Sequence, residues 1–153
     1  MTAAQGSAGA SDPDLADGLV RLSFVVQSVL GRIADAHVLS IPQLRLLAVL
    51  EDREIGMLEL AQILELEKSS VTGLVDRAER RDLVCRVQVP GNRRAVHVIL
   101  TPAGRSLAAE LRRAVRVEIT AMADSLSPSQ QDDFRDSVAA LIRQHATRHS
   151  IPF

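Results

Sequence analysis

The stretch from residue 58 to residue 101 constrains the fold most, because its hydrophobic pattern is first helical and then alternating. Residues 58–64 carry apolar side chains at the spacing of one helical face, and residues 68–82 repeat that spacing after a polar break. The predicted buried positions are Leu60, Ile63, Leu64, Val71, Leu74, Val75 and Ala78. Two short helices joined by a tight turn, the second with a polar outer face, are typical of the helix-turn-helix that enters a DNA major groove.

The outer face of the second predicted helix carries only short polar and basic side chains. Hydroxyl groups can bond base edges or phosphates, a glycine leaves room for close approach, and basic groups suit phosphates. We therefore expect this face to contact double-stranded DNA. The candidate contacts are Lys68, Ser69, Ser70, Thr72, Gly73 and Arg77.

A two-stranded ribbon is predicted to follow directly. Residues 84–89 and 95–101 are rich in β-branched side chains, and the segment PGNRR between them supplies turn residues. Arg93 and Arg94 are expected in this turn, because a basic hairpin tip suits phosphates or a minor groove. Residues 54–56 could add a short edge strand to the ribbon.

Together these residues resemble the winged helix-turn-helix of the multiple-antibiotic-resistance regulator (MarR) family of bacterial transcription factors. The segments that carry the resemblance are SSVTGLVDRAERRDLV (residues 69–84), Arg86, and NRRAVHVILTPAG (residues 92–104). Three positions depart from the family's pattern, since Asn92 stands in place of an Asp, Glu67 in place of a frequent Ser cap, and Asp82 in place of a frequent Gly. The flanking helices follow the same order, so the resemblance covers about residues 15–145.

The resemblance implies a homodimeric repressor that binds a palindromic operator and is released by a small aromatic or lipophilic effector. It assigns the DNA-side role in the wing to Arg94, whereas the residues alone also allow Arg94 to brace the hairpin against Asp76 or Glu79. It places the effector where the dimerisation helices meet the DNA-reading unit. The candidate effector-binding residues there are Arg32, His37, Arg45 and Arg105. Their basic groups could pair with an anion, or could form ordinary surface ion pairs instead.

Long helices are predicted on both sides of the DNA-reading unit. Residues 14–37, 103–125 and 128–148 carry apolar residues at helical spacing, and a shorter helix at residues 42–52 precedes the unit. The apolar surface of the first helix is wider than one stripe, which favours packing against a partner chain. In the last helix, the predicted buried residues are Phe134, Val138, Leu141 and Ile142.

These elements predict an α+β fold, mainly α with a small β wing: a winged helix-turn-helix with long terminal dimerisation helices. Residues 1–11 are rich in Ala, Gly and Ser, so we expect a disordered tail there. One domain is expected over residues 12–150. Within it, residues 40–101 would form the DNA-binding lobe, and residues 12–38 together with residues 102–150 would form the dimerisation helices.

The charge distribution fits DNA binding better than the net charge does. The net charge of −1 by itself argues against a nucleic-acid partner. However, residues 51–67 hold six acidic residues and one basic residue, whereas residues 68–100 hold seven basic and three acidic residues. The positive charge therefore lies in the second helix and the wing, where DNA contact needs it. Three Phe residues are the only aromatic ones, apart from His, which disfavours recognition of single strands by base stacking.

No segment predicts catalysis, a cofactor or a membrane partner. We find no nucleophile–base pair, Gly-rich phosphate loop or paired carboxylate site, so we expect a protein that is not an enzyme and has no cofactor. No apolar run reaches the roughly 20 residues of a membrane span, and the first residues do not resemble a secretory signal. We therefore expect a cytoplasmic protein.

Two further sites and functions stay open at this point. His145 and His149 lie four apart, as a metal-binding pair could, but no third ligand accompanies them, so we expect no metal. The single cysteine, Cys85, could make the chain a redox-switched regulator, although a small packed residue is the commoner role. A third function is a helical dimer that acts as a protein-interaction module without binding DNA.

Overall fold

The computed structural model describes residues 14–152, apart from the side chains of Arg93 and Arg94. The expected disordered tail therefore lies outside the described residues. The described elements are α1 (Leu15–Ala36), α2 (Ile41–Leu50), β1 (Ile55–Gly56), α3 (Met57–Leu64), α4 (Lys68–Arg80), β2 (Val84–Val89), β3 (Asn92–Leu100), α5 (Pro102–Ala121) and α6 (Pro128–His149). The predicted fold class, mainly α with a small β wing, is confirmed.

Polar caps set where the helices begin. Ser40 and Ser127 each form a capping box, with Gln43 and Gln130 respectively, and a proline occupies the first turn of α2 and of α6. Thr101 caps α5 by accepting a hydrogen bond from the Gly104 amide at 2.9 Å. The predicted bounds are therefore correct within a few residues, with the largest difference at the end of α5.

The hydrophobic core lies between α2 and the helix-turn-helix formed by α3 and α4. The four predicted stripe residues of α4 are 0–1% exposed, and Leu60, Ile63 and Leu64 of α3 are also buried. From behind, α2 contributes Leu44, Leu46, Leu47 and Leu50. The helical periodicity of residues 58–82 therefore identified the buried faces of both helices.

The three strands form one antiparallel sheet in the order β1-β3-β2. The predicted edge strand is confirmed, since Ile55 pairs with Val98 and Gly56 pairs with His97. The hairpin turn is shorter than predicted, because β3 begins at residue 92 rather than residue 95. Arg93 and Arg94 thus lie in the strand and not in the turn.

A proline–glycine turn explains why the hairpin is so short. Pro90 and Gly91 form the two-residue turn between β2 and β3, and Gly91 has φ +81°. Proline followed by glycine with positive φ suits a tight turn, but this turn type does not follow the twist of a hairpin. A register shift between Gln88 and Val89 accommodates the mismatch.

The terminal helices are far less buried than the helix-turn-helix. In α1 only Val29, Ile33 and Ala34 are buried, and Phe24 in its N-terminal half is 66% exposed. No residue of α6 is buried, so the predicted burial of its apolar residues is wrong for the single protomer. The exposed or half-buried residues concerned are Phe134, Val138, Leu141 and Ile142. Within the described residues, α6 packs little against the other elements, and the contact of His145 with Glu65 lies near its C-terminal end.

No single helix within residues 14–152 is both long and apolar enough to cross a bilayer. The pair α1 and α2 would reach that length and composition only together, and they meet at a bend of 89°.

Candidate nucleic-acid interface and ligand clefts

The second helix of the helix-turn-helix, α4, presents the predicted contact residues on the side opposite its buried stripe. Lys68, Ser69, Ser70, Thr72 and Arg77 are exposed, and Gly73 is partly exposed. The arrangement follows from the helical period, because the stripe residues occupy about a third of the circumference and leave the rest to solvent. The structure therefore brings all six residues together on one continuous surface.

Two details of α4 bear on what that surface can bind. The Thr72 hydroxyl donates to the Lys68 carbonyl at 3.0 Å, so in this geometry its oxygen can still accept a hydrogen bond from a ligand. A Cβ atom on Gly73 would lie 3.3 Å from a guanidinium nitrogen of Arg77, which shows that the Arg77 side chain folds back across the glycine. The Arg77 guanidinium therefore covers part of the glycine in the middle of this face.

Helix α4 begins without a side-chain cap. Glu67 occupies the N-cap position and makes no capping hydrogen bond. The departure from a Ser cap noted in the sequence thus leaves the first amide groups of α4 for water or for an anion.

An ion-pair cluster that was not predicted from the sequence connects the wing to α4. Arg86 of β2 pairs with Glu79 through its guanidinium and with Asp76 at 2.7 Å. Its backbone amide also donates to Glu79 at 3.0 Å. Arg86 therefore occupies the two carboxylates that Arg94 was considered to brace against. Arg86 is one of the residues that carry the family resemblance. Its partners, Asp76 and Glu79, could not be predicted from the local sequence pattern.

The wing arginines are placed only by their backbone. Arg93 and Arg94 are consecutive residues of β3, and their side chains lie outside the described residues. Their proposed contacts with DNA stay predictions.

Helix α5 is attached to the end of α4 by backbone contacts. Asp82 follows α4 with φ 55°, a left-handed conformation in which its amide donates to the Glu79 carbonyl at 2.9 Å. The Thr101 hydroxyl donates to the Asp82 carbonyl at 2.6 Å. Gly104 then packs directly on Leu83, because a Cβ atom there would lie 1.8 Å from the Leu83 carbonyl oxygen. Only glycine fits at residue 104.

The four candidate effector residues lie in three separate clefts. Arg32 and His37 line a cleft of about 500 Å³ between α1 and α5, which we call the α1–α5 cleft. Arg45 lines a cleft of about 730 Å³ between α1, α2 and α5, which we call the α2 cleft. Arg105 lines a smaller cleft of about 240 Å³ and donates to the Leu100 carbonyl at 2.7 Å. All four residues together therefore cannot form one pocket in this structure.

Two ion pairs connect the walls of the α1–α5 cleft. Arg32 lies 3.8 Å from Glu118, and the Nε2 atom of His37 lies 3.3 Å from Glu110. The Nδ1 atom of His37 is 2.8 Å from the Ile33 carbonyl. The pKa of His37 is raised, first by the hydrogen bond to the Ile33 carbonyl and then by the hydrogen bond to Glu110, since both ring nitrogens can donate only in the protonated form.

The α2 cleft combines an apolar floor with a basic rim. The floor is formed by Leu30, Leu44, Ala48, Ala108, Leu111, Val115 and Ile119. Arg45, Arg112 and Arg116 lie at the rim, opposed by Glu51 and Asp52. Arg112 pairs with Glu51 at 3.1 Å, whereas Arg45 and Arg116 make no ion pair with any described residue. Arg45 nevertheless lies near enough to Glu65 to help lower the pKa of that carboxyl. This composition suits a flat apolar ligand that carries one anionic group. Arg112 and Arg116 lie beside the apolar stripe of α5 and were not predicted from the sequence.

Neither the cysteine nor the histidine pair forms a reactive cluster. Cys85 is half-buried in β2. His145 bonds Glu65 at 2.9 Å, and the His145 and His149 rings lie 4.4 Å apart. The hydrogen bond from His145 lowers the pKa of Glu65. Among the described residues, no three His, Cys, Asp or Glu residues are arranged to hold a metal ion.

Comparisons with known proteins agree on this fold. The sequence model of the MarR family matches residues 39–95. The HTH-type transcriptional regulator PecS of Dickeya dadantii (strain 3937) is 28% identical over 119 residues, which are 75% of this chain and 70% of PecS. A MarR-family regulator from Rhodococcus sp. RHA1 superposes with a TM-score of 0.73 at 23% identity, over 88% of this chain and 96% of that chain.

A further solved structure connects the fold with a ligand. It concerns Bordetella bronchiseptica BpsR, a protein whose DNA binding is regulated by 6-hydroxynicotinic acid. BpsR is 22% identical to this chain with a TM-score of 0.69, over 92% of this chain and 98% of BpsR. At such identities, the solved structures show the shared fold.

Proposed function

We propose that this chain, which belongs to the MarR family, is a homodimeric repressor that binds double-stranded DNA and is released by a small molecule. The observation that carries the proposal is the exposed face of α4, where hydroxyl, glycine and basic residues lie opposite a fully buried stripe. A helix with this division presents polar groups to a major groove while the core holds it in place.

The residues of this face have different roles in the proposal. Ser69, Ser70 and Thr72 read base edges, and Gly73 allows the helix to approach the groove closely. Lys68 and Arg77 position the helix on phosphates. The uncapped amide groups at the start of α4 add donors on the side of Lys68.

Arg94, with Arg93 beside it, carries the proposed wing contact. The family resemblance assigns the DNA side to Arg94, and Arg86 already occupies Asp76 and Glu79 as the brace between wing and helix. We therefore favour an Arg94 that reaches the minor groove or its phosphates. A narrow groove attracts an inserted arginine because the negative potential is concentrated there.

Dimerisation rests on the apolar side chains that the protomer leaves exposed. Phe24 of α1, Val117 of α5 and Leu141 of α6 are all about half exposed or more. Soluble proteins seldom expose so many large apolar side chains on neighbouring helices without a partner. A second copy is the partner proposed, because two-fold symmetry would also place two α4 helices about one DNA turn apart, roughly 34 Å.

The α2 cleft is the proposed effector site. Its apolar floor and its unpaired Arg45 and Arg116 suit a small aromatic or lipophilic acid, and BpsR shows that one protein of this fold responds to such an acid. The cleft touches both α2 and α5, so a ligand that prefers one angle between them shifts the dimer toward one separation of its α4 helices. The free energy of DNA binding that is lost then equals the difference in the ligand's binding free energy between the two dimer states.

The deciding experiment measures binding of the dimer to random and to selected duplexes at several salt concentrations. A DNA-binding protein gives a steep fall of log affinity with log salt, because each neutralised phosphate releases counterions. A flat slope would instead favour the protein-interaction module. Within the same assay, Lys68→Ala should lower the slope by about one and weaken all sequences alike. Thr72→Ala should change the sequence preference, and a uniform loss in both variants would contradict the assigned roles.

A further inference from the structure

The turn between α1 and α2 is held in an unfavourable backbone conformation. Val38 has φ 55° and is 82% exposed, although a β-branched residue is strongly disfavoured in the left-handed region. Two hydrogen bonds shape the turn: the Val38 amide donates to Asp35 at 3.0 Å, and the Leu39 amide donates to Ala34 at 2.9 Å. These local bonds would be satisfied equally well with glycine, so the valine gives the turn no stability of its own.

Arg81 supports this turn from the end of α4. Its guanidinium donates to the Val38 carbonyl at 2.6 Å and to the His37 carbonyl at 3.3 Å. Arg81 is also the C-cap residue directly after α4, the helix proposed to enter the major groove. One planar side chain thus connects the end of α4 to the end of α1. A guanidinium fixes two neighbouring acceptors in one relative geometry, which a single flexible ammonium cannot do.

The same turn is bound to α5 on its other side. His37 reaches Glu110 of α5 at 3.3 Å, and it also bonds back to the Ile33 carbonyl of α1. A continuous series of contacts therefore runs from α4 through Arg81 and His37 to Glu110. It spans the boundary between the DNA-binding lobe and the helices proposed to dimerise.

We propose that Arg81 is a positioning residue that sets the angle of α4 relative to α1 and α5, and so sets the separation of the two α4 helices in the dimer. This inference rests on the proposed function, because the separation of the two α4 helices matters only if the dimer binds DNA. The angle of α4 relative to α1 and α5 is a property of one protomer and can be measured without DNA. It gives Arg81 a role that its basic charge alone would not suggest, since a basic residue at the end of such a helix is ordinarily assigned to phosphates.

Arg80 is the matched control for Arg81. It is the preceding residue of α4, carries the same charge, is exposed, and has no hydrogen bond or ion pair with any described residue. Arg80→Gln and Arg81→Gln therefore remove the same charge from nearly the same place. Only the second substitution removes the two bonds to the α1–α2 turn.

The first measurement is a distance within one protomer. Spin labels are attached at two exposed positions, Gln62→Cys in α3 and Ala121→Cys at the end of α5. Cys85→Ser removes the native cysteine. The labelled chain is diluted into unlabelled protein, so that only distances within one protomer are measured. We expect Arg81→Gln to broaden or shift the distance distribution, Arg81→Lys to do so less, and Arg80→Gln to leave it unchanged. A distribution that is the same in Arg81→Gln and in the parent would overturn the proposal, whether or not the chain binds DNA.

The second measurement uses a selected operator and versions with its two half-sites moved apart or together by one base pair. The parent should prefer one spacing. Arg81→Gln should bind the preferred operator about fivefold or more weakly while losing most of its discrimination between spacings. Arg80→Gln should keep the discrimination, even if it weakens every operator. If Arg81→Gln keeps the spacing preference and loses affinity uniformly, Arg81 is a phosphate contact and the proposal is wrong.

Thermal melting separates positioning from general destabilisation. If Arg81→Gln is already unfolded at the assay temperature, Arg81→Lys is compared with the parent instead. Lysine keeps the charge but can reach only one of the two carbonyls at a time. An Arg81→Lys protein with parental spacing preference and parental distances would also count against the proposal. Absence of DNA binding by the parent itself would refute the proposed function and leave the distance result as the test of the angle.

Discussion

The proposed DNA-binding lobe and the terminal helices use their apolar residues in opposite ways. In the lobe, α2, α3, α4 and the sheet face one another, and residues such as Leu46, Leu60, Val71 and Val98 are completely buried. In the terminal helices, α6 buries nothing and the first half of α1 exposes residues as large as Phe24. The lobe is thus complete within one chain, whereas the terminal helices have the composition of an interface that one chain cannot close.

The two regions also differ in how closely their glycines are packed. The largest expected effect on stability follows from this difference. Gly104→Ala would force a Cβ atom against the Leu83 carbonyl at the joint between the lobe and α5, where neither backbone can move aside. We expect a loss of more than about 3 kcal/mol in the free energy of unfolding, at or beyond the upper end of typical overpacking. Urea unfolding followed by circular dichroism measures it.

Gly18→Ala is the control in the terminal helices. A Cβ atom at Gly18 meets nothing within 4 Å, and the residue lies inside α1. Alanine should therefore be neutral or stabilise the protein by up to about 1 kcal/mol, because glycine is a poor helix former. Equal effects at the two positions would contradict the rigid joint described at Leu83.

The second prediction tests whether the exposed apolar residues of the terminal helices pack against a second copy. Leu141→Asp in α6 should raise the dimer dissociation constant on the order of 100-fold or more, since each of two leucines contributes roughly 1.5–3 kcal/mol on burial. Sedimentation velocity over a concentration series measures it. Leu58→Asp is the control, because Leu58 is also exposed but belongs to the lobe. Dissociation caused equally by both substitutions would remove the distinction between the two regions.

The same contrast explains how much could be predicted from the sequence. The buried stripe of α4 was predicted in full, because a helix packed on one side shows its burial directly as a period of 3.6 residues. In α6, the same reasoning found the apolar residues Phe134, Leu141 and Ile142, but the single protomer leaves them exposed. Periodicity identifies an apolar face, and it does not say which molecule covers that face.

Contacts distant in sequence were the other part that could not be predicted. The pairing of Arg86 with Asp76 and Glu79 depends on how β2 folds back on α4, and the separation of Arg32, Arg45 and Arg105 depends on which helices border each cleft. The short wing turn was missed for a local reason. A proline–glycine pair closes a hairpin in two residues when a bulge absorbs the twist, so Arg93 and Arg94 join the strand.

The third prediction concerns Gly73, where a substitution that stabilises the lobe should weaken its proposed binding to DNA. Gly73→Ala places a methyl group in the middle of α4, where its nearest neighbour is the movable end of Arg77. The fold should gain about 0.5–1 kcal/mol, because an interior helical glycine is unfavourable. DNA affinity should nevertheless fall about tenfold or more if the helix approaches the groove closely at this residue. Melting and DNA titration of one variant give both values, and unchanged DNA affinity would place Gly73 away from the groove.

The smallest predicted effect lies at the boundary between the two regions, at His37. Its folded-state pKa is raised because the protonated ring donates to both the Ile33 carbonyl and Glu110. The resulting stabilisation is therefore fully present below the unfolded-state pKa of about 6.5 and is lost as the pH rises through the folded-state pKa. The parent should accordingly lose more stability than His37→Gln between pH 6 and pH 8, as measured by urea unfolding at both values. The lowered pKa of Glu65 acts in the opposite direction, but its contribution is lost only as the pH falls through the acidic range, so it does not disturb this window. If the parent and His37→Gln change equally, protonation of His37 does not strengthen its contacts with α1 and α5.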